Sequence, residues 1–533
     1  MERFFNTAGP MKPEINYCID PLSRINWDEI INYINNQRYF VLHAPRQTGK
    51  TSTLLAMMDA LNKSGEYECV YANIEAAQAA RSDVSQGIPT VCSVVARSLT
   101  RRLNRPDIQQ WYFEQGRQEQ PQDQFNQLLT HWATTSDKPT VLFLDEVDAL
   151  VGDTLISLLR QLRSGYTDRP DGFPQSIVLC GVRDVRDYRI QSSGGDIITG
   201  GSAFNIITES LRMGDFTQEE TQALWIHHSA ETGQVYDEGI FSELWEDTYG
   251  QPWLVNALGY ETTWKLRHCR DRSHKVTLTD YKKARENLIQ SRATHLDQLA
   301  DKLQEPRVFN VIHHILSSDA SETVDMRIDD LQYVADLGLI KTRPGVRISN
   351  RIYQEVIPRE LTWVNQVYIS NQEQEWYVSS ERRLSINKLL VAFQQFYREN
   401  SDIWLKAYLY KEAAPQLIMQ AFLQRIINGR GYISREYGLG RKRTDLYIEW
   451  PLDENLGIRG PLQRIVIEIK ILRGTLDNVI SDGLAQTADY ARRVGADEAH
   501  LVIFDRSLDR TWDEKIWRRD MHSDGFPIVV WGV

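Results

Sequence analysis

The chain has 533 residues, enough at about 150 residues per domain for three or four domains, each able to bury its own core. With 42% hydrophobic and 25% charged residues and no low-complexity tract, it is not disordered, collagen-like or a disulfide scaffold. Lys plus Arg number 61 against 72 for Asp plus Glu, so the net charge is −11; a wholly basic binder is excluded, and any polyanion must be held by a local basic patch.

The opening MERFFNTAGPMKPEINYCID lacks the basic-then-apolar pattern of a signal peptide, and no apolar run reaches the roughly 18 residues that span a bilayer. Five cysteines (Cys18, Cys69, Cys92, Cys180, Cys269), odd in number and without a CxxC, support neither a disulfide framework nor a zinc knuckle. A cytoplasmic protein is expected. From Arg38 to about Tyr188, short apolar strands (RYFVLHA, YECVYANI, PTVLFLDEVD, SIVLCGV) alternate with helical stretches, which predicts an α/β fold with a parallel sheet.

Ala44-Pro45-Arg46-Gln47-Thr48-Gly49-Lys50-Thr51, followed by Ser52, joins the first of these strands to an apolar helix and has the spacing of a phosphate-binding loop. In that geometry, backbone N–H groups cradle the phosphates of ATP, Gly49 lets the backbone approach, Lys50 reaches the β and γ oxygens, and the Thr51 hydroxyl ligates Mg²⁺. VLFLDEVD at 141–148 is a buried strand ending in acids. Asp145 is placed to hold the Mg²⁺ water shell, and Glu146 to orient or deprotonate the attacking water.

From Thr217 to about Gln290, apolar residues recur at helical spacing, which predicts a helical lid. On these motifs residues 15–290 resemble the P-loop ATPases of the AAA and signal-transduction groups, and the segments FNTAGP, LRQLRSGY and CGVRDVRDY are similar to a bacterial AAA-like family. The resemblance implies that Arg183 is a sensor of the γ-phosphate and that Gly250-Gln251-Pro252 is the lid motif near the nucleotide. It also implies a homo-oligomer formed through the ATPase domain, with Arg160, Arg163, Arg186 and Arg189 as finger candidates. Residues 300–360 read as helix (RVFNVIHHIL), helix (IDDLQYVADLG, with Gly338 as its C′ glycine) and a wing around Arg343-Pro344-Gly345. The acidic second helix favours a protein contact or spacer over DNA reading. The expected division is 1–215 P-loop domain, 216–298 lid, 299–362 winged helix and 363–533 linker with a further domain.

That last domain reads helix 412–428, strands near 431–437, 443–450 and 464–472, helix 477–494 and strand 499–505. Period-two alternation puts Glu468, Lys470 and Val466 on one strand face and Ile465, Ile467 and Ile469 on the other. Asp445 on the preceding strand can meet Glu468 across the sheet, a carboxylate pair able to hold Mg²⁺ with a lysine beside it. This resembles the PD-(D/E)XK nucleases, with Asp445 as the aspartate and Glu468-Ile469-Lys470 as the ExK. Gln486 and Tyr490, four apart on the next helix, match the QxxxY of the RecB-like branch, which implies that they contact nucleic acid. The acid expected on the first core helix has one candidate, Glu412. Arg430, Arg435, Arg441, Lys442, Arg443, Arg492 and Arg493 form the local basic patch.

Adjacent His227-His228 and His313-His314 point about 100° apart on helices and cannot share a metal. Trp225, Trp245, Trp253 and Trp264 fall at core spacing. The resulting expectation is an ATP-regulated, Mg²⁺-dependent nuclease, with DNA favoured over RNA by resemblance alone and a role in genome defence. The alternative is a scaffold ATPase whose last domain only binds nucleic acid or a protein.

Overall fold

The computed structural model describes residues 2–183, 189–191, 197–199, 206–291, 294–317, 327–343, 345–361, 376–379, 381–407, 419, 422–423, 432–439, 442–453, 460–505, 507 and 509–533. They divide into two compact units: Met1–Asp301 with Met326–Gln354, and Lys302–Asp325 with Glu355–Val533.

The first unit begins with an extended N-terminal segment and α1 (Trp27–Asn35), followed by β1 (Tyr39–His43), α2 (Lys50–Ser64), β2 (Glu68–Asn73), α3 (Val84–Leu103), α4 (Pro106–Glu114), α5 (Pro121–Thr134), β3 (Thr140–Asp145), α6 (Gly152–Ser164) and β4 (Ser176–Gly181). After β5 (Arg189–Gln191) and β6 (Ile197–Thr199) comes β7 (Ile207–Arg212). The main sheet is parallel throughout, in the order β2-β3-β4-β1-β7. Every residue of β1, β3 and β4 is buried, because helices cover both faces. Alternation sorts their side chains. Tyr39, Val41, Leu142 and Leu144 join Val95, Leu99, Phe125 and Trp132 on one face. Phe40, Leu42, Val141 and Phe143 join Ile30, Ile34, Leu54 and Met57 on the other.

β7 was not legible as a strand: ITESLR has no apolar run, and it is seated by parallel pairing with β1. Helices α7 (Gln218–Thr232), α8 (Gly239–Thr248), α9 (Pro252–Tyr260) and α10 (Leu278–Gln290) then replace strands in the segment where a lid is predicted. Thr217 opens α7 with a capping box to Glu220, and Gly233, at φ +73°, ends it. Trp225 is fully buried and donates to the Val255 carbonyl, whereas Trp264 departs from the core expectation: it is 45% exposed, with the Arg270 guanidinium over its ring.

Next come α11 (Thr294–Leu303), α12 (Pro306–Ser317), α13 (Ile328–Asp336), the short strands β8 (Ile340–Lys341) and β9 (Arg347–Ile348), and α14 (Arg351–Leu361). Gly338 has φ +80°, and β8 and β9 pair antiparallel in the segment where a wing is predicted. Pro344 lies outside the described residues.

In the second unit, α15 (Ile386–Ala407) precedes β10 (Tyr432–Leu439), β11 (Lys442–Pro451), β12 (Leu462–Ile471), α16 (Leu476–Val494), β13 (Glu498–Phe504), α17 (Trp512–Lys515), β14 (Trp517–Ser523) and β15 (Phe526–Gly532). The mixed sheet runs β10-β11-β12-β13-β15-β14, with β12-β13-β15 parallel and the remaining neighbours antiparallel. Leu389, Leu390 and Phe393 of α15 pack with Ile465, Ile467, Ile469 and Val502 on one face. Ile480, Leu484 and Ala488 of α16 pack with Leu501, Ile503 and Val530 on the other. Of the predicted helix 412–428 only Met419, Phe422 and Leu423 are described, and all three are buried in the first of these cores; Glu412 lies outside the described residues. The sequence reading missed α15 and the terminal β14–β15 hairpin. Among the described residues no helix is long and apolar enough to cross a membrane.

Candidate functional site

The loop from Ala44 to Gly49 leaves the carboxyl end of β1 beside β4, with the Ala44 N–H donating to the Gly181 carbonyl at 3.2 Å. Gln47 (φ 58°) and Gly49 (φ 97°) take left-handed conformations, which turn the loop back on itself and start α2 without a side-chain cap. Helix α2 therefore keeps its first N–H groups turned toward the loop, the partial positive charge that favours a phosphate. Lys50 is buried, and its ammonium donates to the carbonyls of Ala44 and Pro45, both at 3.0 Å. The Thr48 hydroxyl also donates to Pro45 O, at 2.8 Å. Arg46 is exposed at the loop's crest.

At the end of β3 the fully buried Asp145 is held by three donors. Thr51 Oγ1 at 2.8 Å and the Tyr71 hydroxyl at 2.9 Å both reach Oδ2, and the Glu146 N–H reaches Oδ1 at 3.0 Å. Thr51 and Asp145, assigned separately to Mg²⁺, are thus in direct contact; a hydroxyl beside a carboxylate is an oxygen donor set that fits this hard cation. Tyr71 escaped the sequence reading, because its position at the end of a neighbouring strand becomes meaningful only through the β2–β3 register, where Tyr71 pairs with Phe143. Glu146 adopts φ 59°. Burial first, then the Asp145 and Asp148 carboxylates, raise its pKa above the ordinary glutamate value, against the opposing pull of Lys50 and Arg46.

Arg183, expected as a sensor, follows β4. Its Nε lies 4.0 Å from Asp336 Oδ2 of α13, and its guanidinium stands 4.9 Å from the Tyr333 ring centroid. It is not the solvated surface arginine its position after a strand would also allow. Among the finger candidates, Arg160 and Arg163 are exposed on α6, Arg189 lies on β5, and Arg186 is outside the described residues.

Beside the loop opens a cleft lined by Asn6, Gly9, Arg24, Gly49, Pro252 and Trp253, among others. Its walls are built by contacts that no local motif announces. The Met11 N–H donates to Ser52 Oγ at 3.0 Å, tying the N-terminal segment to α2, and the Trp253 indole donates to Thr7 O at 2.9 Å, tying the lid to that same segment. Arg24 donates to Thr48 O at 2.6 Å and to Gly214 O at 2.8 Å while its guanidinium covers Phe216. In Gly250-Gln251-Pro252, a Cβ on Gly250 would stand 2.0 Å from Phe216 O, Gln251 caps α9 by accepting from Leu254 N, and Pro252 begins the helix. This motif thus shapes the lid wall of the cleft. His228, set aside as a ligand, is buried and pushed down to about 3 by that burial and by Arg272; its Nδ1 lies 2.7 Å from the Tyr236 hydroxyl.

In the second unit Glu468 is buried on β12, and the Lys470 ammonium lies 2.9 Å from its Oε1. Asp445 precedes Leu446, whose ladder partner Ile467 precedes Glu468, so the register brings the two acidic positions to adjacent strands. Tyr490 of α16 is buried against Val466 and Tyr447, on the face of β12 that carries Glu468. Gln486, one turn earlier, is exposed, so the two QxxxY side chains occupy different environments. In the expected basic patch, Arg492 pairs with Asp524 at 2.9 Å and Arg493 with Asp489 at 3.0 Å, both as partly exposed surface ion pairs. Lys442, Arg443 and Arg435 lie on the β10–β11 ladder; Arg430 and Arg441 lie outside the described residues.

The chain belongs to the AAA-like domain family, which matches residues 28–357, and it is therefore a P-loop ATPase of that family, in which binding of ATP or ADP is typical. Solved structures with a similar course include the Walker-type ATPase of Pyrococcus abyssi (14% identity, TM-score 0.44, covering 66% of this chain and 99% of that one). Others are the ORC2 protein of Aeropyrum pernix in ADPNP–ADP complexes (14%, 0.41, 64% and 94%) and Cdc6p of Pyrobaculum aerophilum (18%, 0.35, 64% and 93%). Comparison with the curated proteins gives no match.

Proposed function

We propose that this member of the AAA-like family is a Mg²⁺-dependent ATP hydrolase that regulates a metal-dependent phosphodiesterase carried by its C-terminal mixed sheet, with DNA as the favoured substrate. The observation that carries the ATPase reading is the contact of Thr51 with Asp145 at the mouth of the phosphate-binding loop, with Glu146 beside it. Thr51 and Asp145 would hold Mg²⁺, which when bound supplies charge neutralisation for the β and γ phosphates. Lys50 turns from the Ala44 and Pro45 carbonyls to the phosphate oxygens, and the loop's N–H groups with the α2 N-terminus bind the remaining charge. Glu146 accepts the proton of the attacking water, a role that its raised affinity for protons suits. The base and ribose enter the cleft between the N-terminal segment and α9, against Trp253 and Pro252.

The phosphodiesterase reading rests on the buried Glu468 paired with Lys470, next to the strand of Asp445 and under α16. Asp445 and Glu468 would hold a divalent ion, and Lys470 would steady the attacking water or the scissile phosphate. Gln486, Tyr490, Arg441, Lys442 and Arg443 are the proposed nucleic-acid contacts. The −11 net charge favours a second reading, in which the C-terminal sheet engages a protein partner and cuts nothing. The deciding experiment incubates the full chain with plasmid, linear DNA and RNA, with and without ATP and Mg²⁺. Metal-dependent cutting supports the enzyme; ATP turnover without cutting of any substrate supports the scaffold.

A further inference from the structure

Away from the nucleotide site, the lid gathers four donors of the kinds that zinc takes. His268 and Cys269 lie on a single 3-10 turn (Arg267–Arg270), His274 follows in the next loop, and Asp280 is in the first turn of α10. Their ligand atoms all lie within 4.8 Å of one another. Asp280 completes a capping box, with its Oδ2 accepting from the Thr277 N–H at 2.9 Å and the Thr277 hydroxyl at 2.7 Å. A capping box asks nothing more of that carboxylate. Yet two imidazoles converge on it, His268 Nε2 at 2.8 Å from Oδ1 and His274 Nε2 at 3.1 Å from Oδ2, with their rings at right angles and 5.1 Å apart. Behind them the Cys269 side chain is fully buried.

We propose that His268, Cys269, His274 and Asp280 bind a zinc ion that staples the turn before α10 to the start of that helix. Bonds of about 2.0–2.3 Å in a tetrahedron set the donor atoms roughly 3.3–3.8 Å apart, so both imidazole–carboxylate pairs are already close enough and side-chain rotation closes the rest. Two neutral imidazoles, a thiolate and a carboxylate make an electrically neutral site with Zn²⁺, which suits a half-buried position. Mixed sulfur, nitrogen and oxygen donors favour zinc over magnesium or calcium, and four protein ligands leave no open position, the mark of a structural site. On metal binding the Cys269 thiol gives up its proton to solvent.

The loop is also held in shape independently of the four donors. The Gln234 amide donates to the carbonyls of Cys269 (2.9 Å), Asp271 (3.3 Å) and His274 (3.1 Å). Of the cations in this loop, Arg270 turns to the Trp264 carbonyl and ring, Lys275 pairs with Asp237, and Arg272 reaches Glu2, Gln234 Oε1 and the Thr263 carbonyl, with one further bond to the Cys269 carbonyl. The ligand set thus sits on a preformed loop, and these three cations engage partners other than its four side chains. The spacing H-C-x4-H-x5-D contains no paired cysteines, and for that reason the cysteine pattern gave no hint of it.

The test uses the full chain stripped with a chelator. Zn²⁺ is titrated against a chromophoric chelator, and Co²⁺ is added in a parallel sample as a spectroscopic probe. One zinc per chain at sub-micromolar affinity is expected, together with the strong visible bands of tetrahedral cobalt and a thiolate-to-cobalt charge-transfer band. Cys269→Ser should abolish the charge-transfer band. His268→Ala, which spares the capping box, should weaken zinc by more than the ~10–100-fold that losing an outer-shell partner costs. Zinc should raise Tm for the wild type and not for His268→Ala. His227→Ala, remote from the cluster, should behave as wild type. A stripped wild-type chain that takes up no zinc at equivalence, or a cobalt spectrum unchanged by Cys269→Ser, overturns the site.

Discussion

Arg183 Nε lies 4.0 Å from Asp336 Oδ2, joining the end of β4 to the last turn of α13. Asp336 is almost fully buried, Arg212 donates to the neighbouring Ala335 carbonyl at 2.9 Å, and a Cβ on Gly338 would stand 2.9 Å from the Pro45 side chain. The segment after α13 is therefore seated on the phosphate-binding loop. If Arg183 is to contact a γ-phosphate it must leave Asp336, so the two anions compete for one guanidinium. Asp336→Ala should raise ATP affinity several-fold in a nucleotide-binding titration, and Arg183→Ala should lower turnover about tenfold or more. The double variant should match Arg183→Ala. Additive effects in that cycle would show that the two residues do not act on the same phosphate.

The loop and the acidic strand separate binding from turnover. Lys50→Ala removes the charge that the structure holds inside the loop and should weaken ATP by ~100-fold or more. Glu146→Gln keeps shape and removes only the proton acceptor, so binding should persist while kcat falls ~10²–10⁴-fold. Equilibrium binding and single-turnover hydrolysis of the two variants check the division; hydrolysis at the wild-type rate by Glu146→Gln removes that residue from the reaction.

Glu146 also sets a pH signature. Burial, then Asp145, then Asp148 raise its proton affinity, so it stays protonated to a higher pH than an ordinary glutamate. A base must be deprotonated, so the acid limb of kcat/KM, which reports the free enzyme, should lie above the usual carboxylate range. Asp148→Asn removes one of the raising charges and should move that limb to lower pH, while the amide still offers an oxygen to the Val182 N–H that Asp148 now binds. An acid limb that does not move would exclude Asp148 as a contributor.

The parts of the site legible in sequence are those whose chemistry is local. Lys50, Thr51 and Gly49 occupy one strand-to-helix turn, and Asp145-Glu146 end one apolar strand, so spacing alone placed them. The cleft wall was not legible. Met11 to Ser52 and Trp253 to Thr7 join segments far apart in the chain by backbone groups that carry no residue signature. Asp336 looked like one acid among several on a polar helix, and only packing showed it buried against Arg183. In the second unit, alternation correctly sorted Val466, Glu468 and Lys470 from Ile465, Ile467 and Ile469, because period two is fixed by the strand itself. It could not show that Arg492 and Arg493 are engaged by Asp524 and Asp489, since one of these partners arrives from the terminal hairpin.

The last prediction joins the two units by function. Asp445→Ala, Glu468→Ala and Lys470→Ala should each suppress Mg²⁺-dependent cleavage by orders of magnitude and leave ATP hydrolysis near wild type. Lys470→Ala also deprives the buried Glu468 of its 2.9 Å partner, so a stability measurement must accompany it; Lys470→Arg, which keeps the charge, separates folding from chemistry. A phosphodiesterase of the kind proposed, with few sequence-specific contacts, would need restraint, and the ATPase is the available one. Lys50→Ala should therefore lose cleavage with every residue of the second site intact, and Glu146→Gln should trap the ATP-bound state. Cleavage and solution mass of both variants with ATP provide the measurement. Cutting at the wild-type rate by both, with no change in mass, would mean that the nucleotide does not govern the second site.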